Sequence, residues 1–223
     1  MDDRVRTVLR ALEDYAQART LKEMGPRYGI VTDKAFGVPM AKMQAVAKPL
    51  APDHTLAAAL WDTGWYEARM VACMIDDPAQ VTPEQMDRWR ADFDNWGLCD
   101  TVCFKLFDRV ERAPAKIAEW ARLNDEFGKR AAFALLASLA LHAKILGDAP
   151  FLRGLDLIEA GATDERNFVK KAVNWALRAI GGRKSAVLRT AARETAARLA
   201  TSADRTARWV GKDALRAFAK ADG

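Results

Sequence analysis

The sequence predicts an all-α protein. Three observations carry that reading. Apolar residues recur at helical spacing, β-branched runs are nearly absent, and glycine and proline fall between the periodic blocks.

The elements follow in order. Val5, Leu9 and Leu12 share one face at i, i+4, i+7 and predict a first helix. Gly25-Pro26, Gly37 with Pro39, Pro49, Pro52 and Gly64 punctuate the next blocks. Thr82-Pro83-Glu84-Gln85 marks a helix start, with an N-cap threonine, a proline at the first helical position and Gln85 at the third. Met86, Trp89 and Phe93 continue it. Leu98, Val102, Leu106 and Val110 predict a helix beginning near Gly97. Gly128 opens the most apolar block, Ala131 to Leu141. Asp164-Glu165-Arg166 predicts the start of a helix carrying Phe168, Ala172, Val173, Ala176 and Ile180, with Gly181-Gly182 as its stop. The sum is about a dozen helices of about 10–18 residues with short loops. Helix pairs recur at roughly 35–45 residues, the range of HEAT or armadillo repeats. No residue signature repeats, so periodicity alone leaves a compact helical bundle open. No linker divides the chain, and one domain over 1–223 is expected.

Half of the 223 residues are hydrophobic and 29% are charged, which excludes a disordered or collagen-like chain. The net charge of +5 is unevenly placed. Residues 176–223 hold 11 Lys and Arg against 4 Asp and Glu, while the rest of the chain is close to neutral. An anionic partner is expected, nucleic acid first, against the plainer reading of solvated helix faces. Met1-Asp2-Asp3 is acidic and no apolar leader follows. The longest apolar stretch is about half of the ~20 residues a membrane span needs, so no membrane association is expected. Three cysteines without a CxxC pair suggest a reducing compartment, the cytoplasm. Two histidines are too few for most metal sites. No phosphate-binding glycine loop, zinc-hydrolase motif or serine-hydrolase motif occurs, and no cofactor or metal is expected.

Four segments could carry chemistry. In Asp92-Phe93-Asp94-Asn95-Trp96-Gly97-Leu98-Cys99-Asp100, a helix starting near Gly97 puts Trp96 and Asp100 on one side of its first turn. The helix N-terminus would favour Asp100 as an anion, and the carboxylate could stabilise a developing positive charge. A core tryptophan beside an ordinary acidic turn is the alternative. In Gly128-Lys129-Arg130, two cations oppose the dipole of the helix they open. A bound phosphate or an inter-helix salt bridge would relieve that misfit. Lys171, Trp175 and Arg178 fall at i, i+4, i+7, so an aromatic lies between cations that could flank a sugar and its phosphates. The alternative is a tryptophan capping the core with its cations in water. Gly211-Lys212 could offer a phosphate a backbone N–H and a cation at a helix start, or belong to a solvated final helix. Trp61 reads as core. Glu67 and Arg69 read as ion-pair formers between repeats, Cys99 and Cys103 as buried small residues, and His142 as a satisfied core histidine.

These segments, in this order, resemble the AlkD family of bacterial DNA alkylation repair glycosylases over about residues 20–220. The resemblance rests on Arg27-Tyr28, Gly37-Val38, Leu60-Trp61 with Glu67, and Trp96-x-x-x-Asp100. Lys129-Arg130-Ala131-Ala132, Phe168-x-x-Lys171-Ala172-x-x-Trp175-x-Leu177-Arg178 and Lys212-Asp213-Ala214 complete it. It implies a HEAT-like helical-repeat solenoid, C-shaped, whose basic concave face holds duplex DNA, and a solenoid of this size is expected as a monomer. The implied activity is release of cationic N3- and N7-alkylated purines by cleavage of the N-glycosidic bond, without flipping the lesion out of the helix and without a metal or cofactor. By the same resemblance Asp100 is the catalytic carboxylate. Trp96 and Trp175 pack on the sugar and backbone of the lesion, Arg130 contacts a phosphate beside it, and Tyr28 lines the DNA cleft. Lys129, Arg178 and Lys212 are further expected DNA contacts.

Two other readings follow from the residues. One is a non-catalytic HEAT-repeat protein for damaged or branched DNA, and the other is a protein-binding scaffold.

Overall fold

The computed structural model describes residues 2–222. Among them are thirteen α-helices, one 3₁₀ turn and no strand. The all-α expectation holds. The helices run from 8 to 18 residues, so the lower bound is shorter than periodicity suggests. The chain divides into two compact units, Met1–Val110 and Glu111–Gly223.

The first unit holds α1 (Asp3–Glu13), α2 (Ala18–Tyr28), α3 (Met40–Ala47), α4 (His54–Trp61), α5 (Tyr66–Ile75), α6 (Pro83–Ala91) and α7 (Trp96–Lys105). The 3₁₀ turn Phe107–Arg109 closes it. Helix α5 is central, because Glu67, Ala68, Met70, Val71, Ala72, Cys73 and Ile75 are all buried. It packs on α3, α4 and α7. An aromatic cluster fills the space beside it. Trp61 and Trp89 stack at 4.0 Å, and Phe93 and Phe107 meet them at their edges. Trp61 is core, as expected, and its indole N–H donates to Asp92 at 2.7 Å. Thr82 caps α6 by accepting from Gln85 N–H, as its sequence predicts. Helix α6 stops at Ala91, so Phe93 packs from the following turn. Helix α7 stops at Lys105, so Leu106 and Val110 are buried from beyond it.

The second unit holds α8 (Ala113–Trp120), α9 (Glu126–His142), α10 (Ala149–Gly161), α11 (Asn167–Gly181), α12 (Ala186–Ala200) and α13 (Arg205–Asp222). Helix α9 is its spine, buried from Arg130 to Ala140 and packed along α11. A methyl group on Gly161 would stand 2.6 Å from the Phe133 ring, so the glycine sets the approach of α10 to α9. Helix α11 starts at Asn167, and Asp164 caps nothing within it, since it is committed to Arg166 and Lys129. The stop at Gly181-Gly182 holds, although Gly182 stays right-handed at φ −84.

The two units differ in charge, although the excess of cations lies mostly in residues 176–223. The first unit holds 14 Lys and Arg against 17 Asp and Glu, and the second holds 21 against 13. No helix among the described residues is long and apolar enough to cross a membrane.

Candidate functional site

The start of α7 is fixed from several sides. Asn95, almost fully buried, caps the helix by accepting from Leu98 N–H at 2.9 Å. Its own amide donates to Asp94 at 2.6 Å. Gly97 follows Trp96 where the space for a side chain is tight. A methyl group there would lie 3.0 Å from both Ile30 Cδ1 and the Tyr66 hydroxyl. Leu98, Cys99, Val102 and Cys103 are buried and fix the rotation of α7. Trp96 and Asp100, four residues apart, then share the opposite, half-exposed side. With α7 starting at Trp96, Asp100 stands in its second turn. The helix-end field expected to favour its charge fades within the first turn.

Trp96 also has a partner across the unit. Its indole N–H donates to the Tyr28 carbonyl at 2.6 Å. Tyr28 ends α2 and exposes its ring, with the Arg27 guanidinium 5.2 Å from the ring centre.

The loop after Tyr28 is held by Glu67. Its fully buried carboxylate accepts from the N–H groups of Phe36, Gly37 and Val38 at 3.0, 2.7 and 3.1 Å. This corrects the ion-pair expectation for Glu67, since its partners are backbone amides. Arg69 fits that expectation, pairing with Asp92 at 3.2 Å and covering the Trp61 ring. Gly37 has φ +78, and a methyl group there would lie 2.7 Å from Gln17 O and Leu21 N. Phe36 stacks on Trp65 at 4.0 Å. Gly37, Val38 and Glu67 are thus one device that fixes the segment joining Tyr28 to α3.

In the second unit the cations that open α9 are satisfied by the protein. Asp125 caps the helix through Gly128 N–H, and Lys129 pairs with Asp164 at 3.3 Å. Arg166 grips the same carboxylate and holds it below the usual carboxylate range, with help from Lys129. Arg130 is only 6% exposed, donates to the Phe168 carbonyl at 2.5 Å and lies beside the Phe168 ring. Of the two remedies that the sequence left open, Lys129 takes the salt bridge. Arg130 turns inward to fix the start of α11.

Farther along α11, Trp175 is half-exposed, and Lys171 and Arg178 are exposed. The buried Asn174 amide donates to the Val210 carbonyl at 3.1 Å and ties α11 to α13. Gly211-Lys212 is not a helix start. Gly211 lies inside α13 against the backbone of α12, and Lys212 is exposed.

His142 corrects another expectation, because it is exposed in the last turn of α9. Cys73, Cys99 and Cys103 are buried and form no disulfide. Burial pushes the Cys73 thiol up to about 12, and burial with Cys99 and Asp100 raises Cys103. Among the described residues no cluster could hold a metal ion.

The expected site residues therefore fall into two groups. Tyr28, Trp96 and Asp100 belong to the first unit, and Lys129, Arg130, Trp175, Arg178 and Lys212 to the second. A family model described as DNA alkylation repair enzyme matches residues 5–218. The chain belongs to that family. A solved structure shares its fold with a TM-score of 0.79 and 22% identity, over 97% of this chain and 94% of the other. It comes from a family of proteins related to the HEAT-like repeat DNA glycosylases with affinity for branched DNA structures. No curated protein matches. The HEAT-like repeat fold expected from the sequence is the fold of this alkylation repair chain.

Proposed function

We propose that the chain is a DNA glycosylase that hydrolyses the N-glycosidic bond of cationic N3- or N7-alkylated purines in duplex DNA. The observation that carries this reading is the Trp96–Asp100 pair in a chain of the alkylation repair family. An aromatic ring locked to the Tyr28 carbonyl stands one turn from a half-exposed carboxylate.

An alkylated purine already carries the positive charge that a leaving base needs. When its bond to C1′ breaks, the base departs neutral with the electron pair, and the positive charge moves to the sugar. Asp100 stabilises that charge. It also holds a water for attack at C1′, and the water's proton passes to the carboxylate or to solvent. No general acid is required, so the lesion can stay stacked in the duplex. Trp96 and Trp175 are proposed to pack on the sugar and backbone. Tyr28, Arg178 and Lys212 hold the strand, while Lys129 through Asp164 and Arg130 through Phe168 position the segment that leads into α11. A single domain acting as a monomer on alkylated duplex DNA is part of the proposal.

The test is base release from methylated duplex DNA, wild type beside Asp100→Asn. Release of N3-methyladenine or N7-methylguanine by wild type alone is expected. The second reading, binding of damaged or branched DNA without excision, is favoured by the branched-DNA affinity of the structurally similar family. It predicts salt-sensitive binding that survives Asp100→Asn, with no base released by either protein.

A further inference from the structure

The final helix carries a surface centred on Trp209 that shares only Lys212 with the proposed site. Arg205, Trp209, Lys212, Arg216 and Lys220 follow one another at steps of three or four, so they form one stripe along α13. The opposite side, Ala207, Val210, Ala214 and Phe218, is buried. That burial and the Asn174–Val210 hydrogen bond fix which way the stripe faces. All four cations of the stripe are exposed, and Trp209 leaves 38% of its surface to solvent. Lys170 comes from α11 to place its ammonium 5.6 Å from the Trp209 ring centre. Among the described residues no carboxylate pairs with Lys170, Arg205 or Lys212, whereas Arg216 pairs with Asp213 at 2.9 Å. Lys170 and Trp175 stand about 140° apart around α11, so this surface is not an extension of the Trp175 face.

We propose that this face of α13, centred on Trp209 and flanked by Lys170, Arg205 and Lys212, binds DNA that carries unpaired bases. Unpaired cations at this spacing suit a backbone of phosphates. The ring adds a second requirement. An indole gains by stacking on the flat face of a base, and in an intact duplex both faces of each base are already covered. A free face exists only where a base is unpaired, at a gap, a frayed end or a branch. Phosphates alone would be met by the cations, and an acidic protein partner would not need the flat ring. The inference does not depend on whether the chain excises bases.

The experiment measures fluorescence anisotropy with a labelled oligothymidylate of about twelve nucleotides and with a duplex of the same length. The proteins are wild type, Trp209→Phe and Trp209→Leu. Leucine keeps apolar bulk against Lys170 without a π face, and phenylalanine keeps a ring. Trp209→Leu should weaken oligothymidylate binding about tenfold and Trp209→Phe less than about threefold, the scale of one lost stacked base. Duplex binding should change less than about twofold in both. Thermal melts confirm that each variant is folded.

Equal binding of the oligothymidylate by wild type and Trp209→Leu would overturn the proposal. So would equal losses on single strand and duplex, which would make the ring packing alone. Failure of the folded wild type to bind the oligothymidylate at low salt would also overturn it and leave an acidic protein as the occupant. Base release from methylated duplex is read on the same samples. A wild type that releases no base, with Trp209→Leu defective on the single strand, removes the glycosylase reading and keeps this surface.

Discussion

The Trp96 indole donates its N–H to the carbonyl of Tyr28 at 2.6 Å, across 68 residues of sequence. The bond joins the end of α2 to the start of α7, and Asn95 and Gly97 on either side of Trp96 are too tightly packed to let it drift. The orientation of the tryptophan beside Asp100 is therefore set by the fold itself, before the DNA of the proposed reaction would arrive. Preorganisation of this kind keeps a positioning residue from losing rotational freedom on binding.

Replacing Trp96 with phenylalanine keeps an aromatic face and deletes the donor together with part of the ring. The expected loss of stability is about 1 kcal/mol, the net worth of one hydrogen bond. Base release should fall further than binding does, because the ring is no longer held. Single-turnover release and duplex affinity, measured side by side, check this. Equal falls in both would assign Trp96 to binding alone.

Glu67→Gln is expected to be among the more destabilising single changes in the first unit. A glutamine oxygen can serve two of the three amides at positions 36–38, but its NH₂ then faces a third donor. The expected loss is about 3 kcal/mol by urea unfolding, for a buried charge-assisted group. Gly37→Ala should cost about 1–3 kcal/mol through its positive φ, and more if Gln17 and Leu21 cannot yield.

The sequence revealed much of this, and unevenly. Helical spacing placed Trp96 and Asp100 on one side of α7, because that relation needs only four residues of context. The same logic found the cap at Thr82. It could not find the partners of Glu67, which lie about thirty residues back on an irregular segment, where a carboxylate pattern looks the same for an ion pair and for a cradle of amides. The resemblance named both Gly37-Val38 and Glu67, but it did not pair them. His142 failed for a related reason. An Ala- and Leu-rich helix looks buried throughout, but the register at its last turn is set by where α9 ends. The division at Val110 left no linker to read and coincides with no shift in charge. It shows only in the packing.

Asp164 gives a prediction in pH. Arg166 and Lys129 depress its pKa in the folded chain, so its ionised form is bound more tightly than in the unfolded chain. Its contribution is complete above the unfolded value of about 3.9 and is lost as pH falls through the lower folded value. Asp164→Asn should therefore be less stable than wild type at neutral pH, and the gap should close only below about pH 4. Urea midpoints at neutral pH and on acidification check the sign. A gap already closed at pH 5 would remove Asp164 as its source.

The two kinds of cation in the second unit should separate by salt. Arg178 and Lys212 are exposed, so each alanine variant should lower the slope of log affinity against log salt by about one, with little change in stability. Arg130 is inside, bonded to the Phe168 carbonyl. Arg130→Gln should instead lower stability by about 2 kcal/mol, the scale for a charged hydrogen bond lost in a buried place. Its effect on DNA should come through the position of α11, with the salt slope nearly unchanged. A full unit lost from the slope on a stably folded Arg130→Gln would return Arg130 to direct phosphate contact. Because a phosphate contact carries no base information, that loss would then be the same on every DNA sequence.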